Sequence, residues 1–145
     1  MKTILIATME QLQKEIPEFR YIGEDFGQVD FYDTSPSVKF PCALININLI
    51  RYETISKEKQ RANVTLQVRL IDDSSIYGNI QAPKCHQQKA FEIFDLMEAV
   101  RMALQGFHGE LFREFKLESI VKQNRQDYLR EYILTYQTGF ILSLE

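Results

Sequence analysis

Two runs of strict alternation, set close together, constrain this chain more than any other feature. From Cys42 to Tyr52, the residues Ala43, Ile45, Ile47 and Leu49 are apolar, and Asn46 and Asn48 fall between them. From residue 63 to 70, Val64, Leu66, Val68 and Leu70 alternate with Asn63, Thr65, Gln67 and Arg69. Successive side chains on a strand point to opposite faces, so each run predicts a strand with one buried and one polar face. The intervening ETISKEKQRA is polar, which joins the runs into a β-hairpin with a long charged tip. A sheet built around this hairpin needs an apolar cover on one side, and the flanking segments offer helices to supply it.

In the opening segment Ile4, Leu5, Met9, Leu12 and Ile16 recur at helical spacing, with Lys2, Gln11, Gln13, Lys14 and Glu15 opposite, and Pro17 ends the run. Polar residues interrupt it too soon for a signal-peptide core or a membrane span, so it reads as an amphipathic helix of the mature fold. Residues 21–32 mix aromatics and Val29 with Gly23 and Gly27, which fits a short irregular strand or hairpin. Residues 33–41 carry two prolines and several turn formers and read as a loop.

After a loop at 72–83, one long helix is expected over 84–105, with Pro83 in its first turn and Gly106 as its stop. Ala90, Ile93, Phe94, Met97, Val100 and Leu104 form its apolar stripe, and Phe91, Leu96, Ala99, Met102 and Ala103 widen that stripe beyond what one sheet covers. Glu98 and Arg101 are spaced for a weak surface pair. Phe115, Leu117 and Val121, then Tyr132, Leu134, Tyr136, Phe140 and Leu142, alternate with polar residues as two last strands joined tightly at NRQD. The sum is an α+β fold over residues 1–145, a single domain with an antiparallel-rich sheet of about four main strands and two helices packed on one face.

The 145 residues are 45% hydrophobic and 26% charged, a globular rather than a disordered composition. Against 20 Asp and Glu stand 17 Lys and Arg, so the basic excess that gathers along nucleic-acid phosphates is missing and no sequence-specific nucleic acid is expected as partner. Only Cys42 and Cys85 are present, without CxxC spacing, which excludes a disulfide framework and suits a reducing cytoplasm.

No catalytic, metal or cofactor residue is expected. Cys85 and His86 adjoin, but neighbours at a helix start need distant partners to make a metal shell or a triad. His108 sits in a loop, where bonding to backbone is the ordinary role. Asp72, Asp73, Ser74 and Ser75 lack the spaced ligands of a calcium loop, and no GxGxxG, P-loop or GxSxG occurs. An enzyme would need a site assembled from dispersed residues that no linear motif reveals. The hairpin tip is different: Arg51, Lys57, Lys59 and Arg61 make either a cationic docking finger or a solvated, edge-protecting turn. The polar row of Asn46, Asn48, Asn63, Thr65, Gln67, Arg69, Thr135 and Gln137 is either solvated or the lining of a water-filled passage. Tyr132, Tyr136 and Phe140 pack in a core or line a small-ligand pocket.

The segments KFPCALININLI, ANVTLQVRLID and AFEIFDLMEAVRMALQGF, followed by two long closing strands, resemble the tail terminator (tail completion) proteins of long-tailed phages. That family includes the minor tail protein U of phage lambda and relatives in prophages. The resemblance covers most of the chain and lies in hydrophobic pattern: a Pro-led first core strand, an alternating second strand, a helix ending in Leu104 to Phe107 and two terminal strands. It implies a structural protein of the virion tail or neck, assembled in the bacterial host cytoplasm, with no cofactor. It implies a homo-oligomeric, hexameric ring that caps the tail tube and meets the head connector. Candidate interface residues are Arg51, Lys57, Lys59 and Arg61 on the hairpin and Phe91, Leu96 and Met102 on the wide helix. The alternatives are another neck, tail or baseplate component, or a small-ligand-binding regulatory module.

Overall fold

Alternation becomes register in the central hairpin. In the computed structural model, which describes residues 1–73 and 78–143, β2 (Cys42–Thr54) and β3 (Lys59–Asp72) pair antiparallel from Cys42 opposite Ile71 to Thr54 opposite Gln60. The pairing runs further than the polar composition suggests. Only residues 55–58 form the turn, so Arg51, Lys59 and Arg61 are strand residues and Lys57 alone is at the tip. The charged segment is extended because its neighbour β5 (Arg130–Ser143) pairs with β3 along its whole length, from Asp72 opposite Arg130 to Lys59 opposite Ser143.

Among the described residues the sheet has five strands in the order β1-β2-β3-β5-β4, with β4 at Lys116–Gln123 on one edge and β1 at Tyr21–Glu24 on the other. It is mixed: β1 runs parallel to β2, and the other pairs are antiparallel. The expected weak strand over 21–32 thus shrinks to four residues, and residues 25–32 form a loop.

One face carries the main core. Ala43, Ile45, Val64, Leu66, Val68, Leu70, Leu134 and Tyr136 from the sheet pack against Ile4 and Leu12 of α1 (Lys2–Glu15) and Ile93, Leu96, Val100 and Leu104 of α3 (Glu92–Leu104). Full burial of each aliphatic side chain is worth roughly 1.5–3 kcal/mol of transfer free energy. The helix expected over 84–105 is divided in two. A short α2 (Lys84–Ala90) gives way at Phe91, whose φ of -101° and ψ of 3° leave helical geometry, and α3 begins after it. Apolar periodicity passes through this break, which is why the two read as one. Gly106, at φ +67°, takes the left-handed turn after α3 that a glycine accepts without Cβ strain.

Two bulges move side chains off the faces that alternation assigns. The β2 register shifts between Ile47 and Leu49, and Leu49 comes opposite Thr65 on the polar face, largely exposed, while Ile50 takes the core side opposite Val64. The β4 register shifts between Leu117 and Ser119, so Val121 pairs with Ile133 on the polar side and Ile120 with Leu134 on the core side. Phe115 precedes β4 and joins Phe107, Phe112 and Tyr136 in an aromatic knot, with ring centroids 5.5–5.9 Å apart.

Tyr136 is fully buried, and among the described residues its hydroxyl has no hydrogen-bond partner. Burial pushes its phenol above the usual titration range. A lone buried hydroxyl loses its water bonds without replacement, so Tyr136→Phe is expected to raise stability by about 1 kcal/mol in chemical denaturation. A loss of stability would show that the hydroxyl is bonded in solution.

Candidate functional site

Across the sheet from the helices, one end of the polar face is not solvated at all. Arg69 of β3, a polar-face residue by alternation, is only 8% exposed. Its Nε and Nη2 donate to the two carboxylate oxygens of Glu131 at 2.7 and 2.9 Å, and Nη2 and Nη1 donate to Asp30 at 2.9 Å each. The remaining Nη1 hydrogen is shared by the oxygens of Asp25 at 3.1 Å. All five guanidinium hydrogens are thereby used on three carboxylates.

Arg125, in the six-residue connection between β4 and β5, repeats the arrangement. It donates to Asp127 through Nε at 2.9 Å and Nη2 at 2.7 Å, to Glu131 at 2.7 Å and Asp30 at 3.2 Å through Nη1, and to the Val29 carbonyl. Four carboxylates therefore surround two cations, and the excess negative charge is held by neutral donors. Gly27 N–H donates to Asp25, while the Tyr32 hydroxyl and Leu129 N–H donate to Asp127. Beside this cluster, Arg130 pairs with Asp72 at 2.8 Å.

The cluster fastens two connections onto the sheet. Val29, Val38 and Leu129 are thereby laid over Cys42, Leu44 and Ile71 as a second, small core. There burial raises the Cys42 thiol to about 12, so it stays protonated. Gly27, at φ +91°, makes the turn that sends Asp25 and Asp30 back toward Arg69. The loop is further braced by Phe26 N–H and Gln28 Nε2, which bond Gln28 Oε1 and the Glu24 carbonyl. Yet Phe26 and Phe31 point outward, 74% and 86% exposed. A clasped loop that displays two aromatic rings is a rigid presentation of apolar surface.

The other end of the same face carries the hairpin. Arg51 is opposite Asn63, and Arg61 and Lys59 continue the row of β3 residues that ends in Arg69, so these three cations share the polar face. Arg51, Lys57 and Lys59 are exposed; Arg61 is partly covered and lies 3.6 Å from Glu53. Ile55 at the turn is also exposed, and so is Tyr52, which lies opposite Ala62 on the helix side of the sheet.

The candidate residues on the helix surface separate. Leu96 is 9% exposed and belongs to the core of its own chain, so it is no free contact. Phe91 and Met102 are exposed, as is Phe94. The apolar width of this helix is covered in part by α1, which packs along α3 and donates from Gln11 Nε2 to the Ala103 carbonyl at 3.0 Å. Ala99 and Ala103 are half-buried there. Intramolecular helix packing thus accounts for much of the surface that sequence reading assigned to other copies.

Among the remaining candidates, Cys85 and His86 are both exposed on α2, and the His108 ring lies 3.2 Å from the Gly106 carbonyl. Asp72 is taken by Arg130, and Ser74 and Ser75 lie outside the described residues. Among the described residues, no three His, Cys, Asp or Glu side chains are grouped to hold a metal ion. Glu98 and Arg101 pair at 2.6 Å on the surface. Tyr136 fills the core instead of lining a pocket, and Tyr132 packs edge-on against Phe94. A shallow groove of about 430 Å³ runs past His108, Phe112, Arg113, Lys116 and Gln137. The ion cluster itself escaped sequence reading because its members lie at positions 25, 30, 69, 125, 127 and 131 and meet only through folding. The signal present was Arg69 as the one charge among Asn46, Asn48, Asn63, Thr65, Gln67, Thr135 and Gln137.

No protein-family model matches this sequence, and comparison with curated proteins gives no match.

Removing one partner from a buried ion cluster leaves the others unpaired, so Arg69→Met is expected to cost about 3–5 kcal/mol in chemical denaturation. A change below about 1 kcal/mol would show that the cluster does not hold the fold. Acid should act on the same point. The Arg125 guanidinium, helped by Tyr32 and the Leu129 N–H, holds Asp127 down at about 2, and Arg69 lowers Asp30 against the opposing effect of burial. Both carboxylates are depressed below the ordinary 3.8. Their stabilisation is therefore complete above about pH 4 and is lost as pH falls below it, for Asp127 toward about 2. Near-UV circular dichroism should show release of tyrosine signal in that window; a transition centred above about pH 5 would point to other groups.

Proposed function

We propose that this chain is a structural assembly protein of a long-tailed phage or prophage virion, a tail terminator-like subunit that forms a ring, caps the tail tube and meets the head connector. The observation that carries the reading is the distribution of bare apolar side chains over separate parts of one subunit. Phe26 and Phe31 stand on the clasped loop, Tyr52 and Ile55 at the hairpin end, and Phe91 and Met102 on the helix side. A subunit with neighbours on several sides needs distinct contact patches of this kind, because a head-to-tail contact joins unlike surfaces and closes into a ring when the rotation per step allows. The two core strands, the helix that ends at Leu104 and the two closing strands follow one another in the order on which the resemblance to tail terminators rests.

Another neck or baseplate component would use the same patches, and position on the tube separates the two. In negative-stain images of purified protein mixed with tail tubes, rings are expected at one tube end only. Decoration along the tube or at a baseplate would place the chain elsewhere in the virion, and absence of any tube association at micromolar concentration would end the tail reading.

A further inference from the structure

The polar face of the sheet has two ends of opposite character. Residues 24–33, EDFGQVDFYD, contain four carboxylates and no basic residue. Asp25 and Asp30 are spent on Arg69, but Glu24 and Asp33 stay exposed beside the bare rings of Phe26 and Phe31. Residues 51–61, RYETISKEKQR, carry four cations against two carboxylates, with Ile55 bare at the turn and Tyr52 bare on the other face. Lys59 and Arg69 are ten positions apart on one strand, roughly 34 Å at the rise of an antiparallel strand. No bend within one subunit brings these ends together.

From this geometry we infer that the basic hairpin end of one subunit docks on the acidic, two-phenylalanine loop of a second copy of this chain. The complementarity is of two kinds. Arg51, Lys57 and Lys59 meet Glu24 and Asp33, which steers encounter and fixes orientation. Phe26 and Phe31 meet Ile55 and the alkyl stems of the cations, where the rings also attract the charged heads. The loop is already clasped in place by Arg69 and Arg125, so docking orders little additional chain. Loop and hairpin are different surfaces, so a contact made once per pair of subunits is heterologous and propagates from copy to copy. This inference supplies the subunit contact for the ring proposed above and rests on that reading for its biological setting alone.

Complementary charge reversal tests it. One variant carries Arg51→Glu, Lys57→Glu and Lys59→Glu; the other carries Glu24→Lys and Asp33→Lys. Arg61, Asp25 and Asp30 are left unchanged because they hold the fold's own ion pairs. Circular dichroism and melting temperatures establish that both variants remain folded. In sedimentation velocity the wild type should self-associate, and each variant alone should do so at least about tenfold more weakly. An equimolar mixture of the two should recover the wild-type distribution, because every contact between unlike variants is again complementary. A folded Phe26→Ser/Phe31→Ser variant should lose association that reversal of the hairpin does not restore.

Wild-type protein that stays monomeric, single variants that assemble as wild type does, or a mixture that fails to recover would each overturn the contact. Rings that still cap tail tubes with either variant discard this contact and leave the tail reading standing. Recovery on mixing, without any affinity for tubes, keeps the contact and discards the tail setting.

Discussion

The guanidinium of Arg69 is the point from which one whole side of this molecule is built. Its five hydrogens are divided among Glu131 on the neighbouring strand and Asp25 and Asp30 on the loop after β1. Glu131 is fully buried, and an ion there is tolerated only with its partners in place. Arg125 brings the β4–β5 connection to the same carboxylates. Two irregular connections are thereby fixed over a small core that includes Val29, Val38 and Leu129. What the cluster secures is the position of a loop, and that loop displays two of the barest aromatic rings among the described residues.

The two faces of the sheet therefore obey different physics. The helix face is held by burial of aliphatic and aromatic side chains, where many small contacts add up and no single residue dictates the arrangement. The opposite face is held at one end by directional, charge-assisted bonds and left open at the other. An open polar sheet face next to the hairpin can carry Arg51, Lys59 and Arg61 at little cost, because charges in solvent are cheap there. The edge strand β4 bears Lys116, Glu118 and Lys122, a composition that discourages indiscriminate pairing along its free side.

Much of the fold was legible because local patterns carried it. Alternation in 42–52 and 63–70 announced β2 and β3, helical spacing in the first fifteen residues announced α1, and Gly106 marked the end of α3. The misreadings come from places where a local pattern continues through a change in geometry. Leu49 and Val121 keep their alternation in the sequence but are carried across the sheet by bulges, since one extra residue inverts every later face. Phe91 keeps the helical period while its backbone leaves the helix. Leu96 reads as an interface residue because a sheet alone leaves it bare, and the covering of this helix by α1 is a tertiary fact.

The candidate surface divides in the same way. The cations of the hairpin and the acid-rich stretch 24–33 are readable directly, since each is a run of neighbouring residues. That they occupy opposite ends of one sheet face comes only from the register of β2, β3 and β5, which the amino-acid order leaves open. By itself the sequence determined which segments become strands and helices and which side of each is greasy, because those depend on periods of about two and 3.6 residues within a short window. Tertiary structure alone decided that Arg69 is buried and that residues 25, 30, 125, 127 and 131 gather around it. Ion pairing acts over a few ångströms of space regardless of separation along the chain, and only the folded sheet creates that proximity.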